Sequence, residues 1–166
     1  MKQTMVILAW ISFLTMLSIG FSRYLDKQTF PNQSISDNYS AEQGAGVRLL
    51  QNRQGHYIVG GEINSYPATF ILDTGATSIS IPGQLAQKIG LSKGFPVRTK
   101  TANGDITVYR LSLDSVRVGP IMLRGIQAHI NPHMKGDEVL LGMSFLKHLD
   151  MVQKGKEITL SLPNRL

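Results

Sequence analysis

Cysteine is absent from the 166-residue chain, which excludes a disulfide framework and cysteine-ligated metal sites and leaves the redox compartment open. Charge is sparse, at 17% of residues. There is no internal repeat, no low-complexity tract and no run of basic residues. A helical zinc motif is missing too. His129 and His133 are spaced to offer two ligands, but no Glu accompanies them, so no metal and no cofactor is expected. His56 and His148 stand alone, and no Ser-His-Asp arrangement is legible. The formal charge is nonetheless +6. The first 45 residues hold three bases and three acids, so the excess lies downstream, where 14 bases face 8 acids. Those bases occur singly and without interleaved aromatics. They read as a solvated surface, not as a nucleic-acid interface.

What is there divides the chain into three parts. Residues 5–21 are almost uninterruptedly apolar, with Ser and Thr as the only polar members, between Lys2 and Arg23. The run approaches the length needed to cross a bilayer as a helix. A cleaved secretory signal is the competing reading, but around Ser18 and Gly20 there is no Ala-x-Ala site, so residues 1–25 are read as an uncleaved transmembrane anchor. Lys2 on one side and Arg23 and Lys27 on the other leave the positive-inside rule undecided. A leading apolar segment with a short amino-terminal flank points to a single-pass protein of the cell (inner) membrane whose domain is extracytoplasmic. Residues 26–46 turn polar and lose periodicity, which predicts a flexible linker. Residues 47–166 form the domain, and the length suits one compact unit without a second catalytic lobe.

Within the domain, short strand-like segments alternate with Gly, Pro and Asn turns, the pattern of an all-β barrel or sandwich. Residues 84–91 place Leu85, Ala86 and Ile89 on one helical face, with Gly90 as the stop. Asn103-Gly104, between strand-like arms at 97–102 and 105–113, is a strong hairpin signal because both residues tolerate positive φ. The last hairpin, around Lys154-Gly155-Lys156, ends in a strand that could pair with another subunit.

One stretch organises the rest. Phe70-Ile71-Leu72 runs into Asp73-Thr74-Gly75-Ala76, after which strand alternation resumes through Thr77, Ile79 and Ile81. The acid therefore sits at a tight turn mounted on two strands. Downstream, Val139-Leu140-Leu141-Gly142 leads into a short helix-like segment. Asp73-Thr74-Gly75-Ala76 resembles the active-site signature of aspartic proteases in its retroviral form. The second segment resembles the apolar-apolar-Gly stretch that crosses behind the active-site loop in that family. The chain thus looks like a retropepsin-like (clan AA) aspartic protease of the bacterial, membrane-anchored, single-domain type.

That resemblance implies a small closed acid-protease β-barrel with one or two short helices, behind the transmembrane helix. It implies Asp73, Thr74 and Gly75 as catalytic residues, and Ala76, Ala102, Asn103, Gly104, Leu141 and Gly142 as substrate-binding ones, with the Asn103-Gly104 hairpin as the flap. Ile81, Val97 and Val139 are further pocket candidates. The reaction needs two facing carboxylates that share a proton, yet the sequence offers no second Asp-Thr/Ser-Gly, and Asp114 is followed by Ser115-Val116. A two-fold homodimer supplying two copies of Asp73 follows, with Thr74 bonding across the axis. Ala76 lacks the hydroxyl donor of pepsin-like enzymes, which implies a less acidic optimum. The expected activity is that of an aspartic endopeptidase on peptide or protein substrates. The alternative is a catalytically weak peptide-binding or dimerisation module on the same fold. Phosphoryl transfer through an aspartyl-phosphate is disfavoured, because there is no phosphate loop and no room for a nucleotide domain.

Overall fold

The structure, a computed structural model, describes residues 2–32, 46–101 and 104–163. Helix α1 (Lys2–Thr29) is followed by β1 (Gly46–Leu50), β2 (Ile58–Ile63), β3 (Tyr66–Leu72) and β4 (Ile79–Pro82). After helix α2 (Gly83–Lys88) come β5 (Phe95–Thr101), β6 (Gly104–Val118), β7 (Ile121–Asn131) and β8 (Glu138–Leu141). Helix α3 (Met143–Leu146) precedes β9 (Asp150–Lys154) and β10 (Glu157–Ser161).

The strands form a sheet of order β2-β3-β8-β4-β7-β6-β5, and a β2–β6 pairing at Ile63↔Val116 closes six of them into a barrel. Closure removes the free edges that an open sheet would expose. β5 stays outside the closed circuit as the outer arm of a hairpin with β6. Alternation along each strand sends one set of side chains inward. Phe70, Ile79, Ile81, Leu113, Val139 and Leu141 are fully buried there. Phe145 and Leu146 of α3 cap the same core. The predicted helix at 84–91 is present as α2, one residue earlier at its start, and Gly90 ends it at φ 73°.

A second, three-stranded sheet has the order β1-β10-β9. This corrects the expectation for the last strand. β10 is the middle strand, bonded to β1 from Gly46↔Ser161 to Leu50↔Glu157 and to β9 on its other side. Both its edges are used within the chain, so it has none left for a second subunit. β9, with every residue exposed, is one of the two edge strands, and β1 is the other.

Helix α1 contains a 23-residue segment, Gln3–Leu25, long and apolar enough to cross a membrane. Its apolar side chains are exposed all round, Trp10 and Phe13 included, which is consistent with a membrane span. The helix runs to Thr29, into the stretch expected to be linker. Beyond it Asn32 is buried and bridges to Val59. Its side-chain amide donates to the carbonyls of Leu50 (2.9 Å) and Ile58 (2.8 Å), and its Oδ1 accepts from the Leu50 N–H (2.8 Å). One amide thereby satisfies backbone groups of both β1 and β2, among them the buried carbonyl of Ile58.

Candidate active site

β3 delivers Asp73 to the end of the barrel. The loop that follows is clamped from three directions. Leu72 donates its N–H to Tyr57 O (3.0 Å) and Asp73 donates to Leu141 O (3.2 Å), extending the parallel β3–β8 pairing that ends at Leu72↔Leu141. The turn closes through Ala76 N–H to Asp73 O (3.3 Å) and Gly75 N–H to the Asp73 carboxylate (2.9 Å). From behind, Met143 donates to Ala76 O (2.8 Å), while Ser144 Oγ accepts from Ile79 N–H (3.1 Å).

Gly142 makes that crossing possible. A β-carbon there would lie 2.6 Å from Ala76 O and 2.7 Å from the carbonyl carbon of Ser78, and closer still to Ser78 O. Backbone on both sides leaves nothing to yield, so the site accepts only glycine. The spacing of Asp73-Thr74-Gly75 and Gly142, read in the sequence as two separate motifs, is one packed object in the fold.

The other predicted positions divide. Asp73 and Ala76 are half-buried, and Thr74 and Gly75 are exposed at the loop tip. Leu141 is fully buried in the core, as are Ile81 and Val139, whereas Val97 is half-buried. Gly104 opens β6 at φ 106° and pairs with Thr101, which sets the hairpin. Ala102 and Asn103 lie outside the described residues. Among the described residues no group of three or more His, Asp or Glu is placed to hold a metal.

Sequence reading missed the outward face beside the loop. Register places Ile71, Leu140, Ser80, His129 and Arg110 in a row across β3, β8, β4, β7 and β6. Their neighbours on the opposite face, Phe70, Ile79 and Val139, are core. Ser78 Oγ and His129 Nδ1 are 2.6 Å apart although 51 residues separate them in sequence. Burial, and then the Arg110 guanidinium, hold the His129 imidazole below its usual range. Period-two alternation identifies Leu140, not Leu141, as the half-exposed member of its pair once the register is known.

The family described as "gag-polyprotein putative aspartyl protease" matches residues 59–148. The chain is 32% identical over 139 residues to a Sinorhizobium protein from the cobV 5′ region, covering 81% of this chain and 58% of that one. It is 31% identical over 126 residues to protein RP867 of Rickettsia prowazekii (strain Madrid E), covering 74% and 53%. The chain thus spans somewhat more than half the length of these curated relatives. The crystal structure of a retropepsin-like aspartic protease from Rickettsia conorii superposes with a TM-score of 0.62 at 28% identity, over 70% of this chain and 89% of that one. The family match takes in the whole clamped loop, from β3 through Gly142 and α3, and the structural match takes in the barrel that carries it. The chain belongs to the retropepsin-like aspartic protease family.

Proposed function

We propose that the protein is a membrane-anchored aspartic endopeptidase whose active form is a homodimer. The observation that carries this reading is the Asp73 loop, a half-exposed carboxylate oriented by the Gly75 N–H and fixed from behind by the Gly142 crossing. Such rigid mounting on strand ends is what general acid–base chemistry demands of a catalytic group. One carboxylate supplies half of the machinery. Two copies brought together about a two-fold axis would let one ionised member take a proton from water while the protonated member polarises the scissile carbonyl. Thr74, at the exposed tip, would bond to its counterpart across that axis. An extended peptide would lie along the outward row of Ile71, Leu140 and Ser80, beneath the β5–β6 hairpin, with backbone bonds providing affinity and alternate side chains providing selectivity. Helix α1 would hold both protomers in one bilayer and raise their effective concentration.

The test is subunit mixing. Asp73→Asn should abolish peptide cleavage and leave the fold intact. Added in equal amount to a fixed quantity of wild type, it should reduce activity to about half, because mixed dimers carry one competent carboxylate. Cleavage by Asp73→Asn, or wild-type activity indifferent to its presence, refutes the shared dyad. Absence of wild-type cleavage across a broad peptide library, with dimerisation intact, would favour a peptide-binding module.

A further inference from the structure

The junction between helix and barrel is built from two turns, the β1–β2 connection at residues 51–56 and the hairpin turn between β9 and β10. The backbone N–H of Arg53, in the turn at 51–56, donates to Gln28 O of α1 (3.3 Å). The turn between β9 and β10 is fastened to the first through Gln51 N–H to Lys156 O (2.8 Å). Gln28 lies three residues past Leu25, the end of the apolar segment. At 1.5 Å per residue that is about 4.5 Å along the helix. If α1 spans a bilayer, both turns are held at the depth of the lipid headgroups.

Between the helix and the turns lies a cleft of about 590 Å³. Phe21 and Leu25 form its apolar side, and Arg53 and Lys156 its cationic side. Both cations are exposed, and among the described residues neither is paired with a carboxylate. Glu157, the acid next to Lys156, is engaged by Arg48 at 3.1 Å. A cleft with hydrocarbon on one wall, two free cations on the other, and its mouth at the bilayer surface matches the chemistry of a phospholipid with net negative charge.

We propose that this cleft binds the headgroup of an anionic phospholipid, with Arg53 and Lys156 contacting its phosphate and Phe21 and Leu25 packing against the upper acyl chains. The inference rests on reading α1 as a membrane anchor. It gives the domain a second attachment to the membrane besides the helix, one that depends on lipid charge. Long-range attraction of basic residues to an anionic surface is worth roughly a fivefold change in affinity per Lys or Arg.

Native mass spectrometry of the full chain in detergent, with phosphatidylglycerol and phosphatidylcholine added in competition, tests the site. Wild type should retain phosphatidylglycerol selectively. Arg53→Gln should lower that selectivity about fivefold and the Arg53→Gln, Lys156→Gln pair about 25-fold, while Arg53→Lys keeps it. Both side chains are exposed, so the variants should melt like wild type. Equal retention of the two lipids, or undiminished selectivity in the double variant, overturns the lipid site while the anchor stands. Recovery of the full chain in the soluble fraction without detergent overturns the anchor and the site with it.

Discussion

Replacing Gly142 by alanine probes the packing on which the candidate active site depends. The new methyl would meet backbone of Ala76 and Ser78 at 2.6 and 2.7 Å, and Ser78 O closer still. No side chain can rotate away, so either the Asp73 loop or the β8–α3 segment must move. Forcing a methyl into such a site costs about 2 to 3 kcal/mol. The movement also breaks the Met143 N–H to Ala76 O bond (2.8 Å) and the Ile79 N–H to Ser144 Oγ bond (3.1 Å), each worth about 1 kcal/mol. The total, about 4 to 5 kcal/mol, is a large share of the roughly 5 to 15 kcal/mol that holds a domain together. With a urea dependence of about 2 kcal/mol per molar, the midpoint in detergent should fall by about 2 M. Gly60→Ala is the control, since nothing lies within 4 Å of a β-carbon there. A midpoint for Gly142→Ala within about 0.5 M of that control would refute the claim that the crossing tolerates no side chain.

Two further substitutions test polar groups around the site. The depressed basicity of His129, due first to burial and then to Arg110, means that the unfolded chain takes up a proton at higher pH than the folded one. The stability it confers is complete above its ordinary value of 6.5 and declines as pH falls through that value towards the lower folded one. His129→Gln should flatten this part of a melting-temperature profile, and parallel profiles for the two proteins would count against the assignment. Tyr57 has a buried hydroxyl with no partner among the described residues. Tyr57→Phe should therefore raise stability by up to about 1 kcal/mol, and a loss of that size in chemical denaturation would show that the hydroxyl is bonded in the native assembly.

How far the sequence could be read depended on whether the determining contact was local. The Asp73 turn and the α2 stop at Gly90 are written in adjacent residues, and each forms where the local chemistry points. The β5–β6 hairpin instead forms with Gly104 paired to Thr101 as the first residue of β6 and not, as expected, within the turn. The barrel closure is not local. It needs Ile63 beside Val116, a pairing that no periodicity announces. The same holds for Ser78 and His129, whose contact follows from the parallel β4–β7 register. Leu141 illustrates a different failure. A motif match identifies the segment but not which of two adjacent leucines turns outward, and a one-residue shift exchanges core for surface. The terminal strand departs from the expectation because its pairing with β1 spans almost the entire domain.

The bonds of Asn32 bear on how a soluble form of the protein can be made. A fragment beginning at Ala45 discards that residue and uncaps the Leu50 N–H, Leu50 O and Ile58 O together. The apparent tether contains a piece of the folded unit, so a truncation that preserves the native β1–β2 end must begin upstream of Phe30. By the same geometry, Asn32 is a non-covalent tie between the segment that follows the helix and the β1–β2 end of the domain.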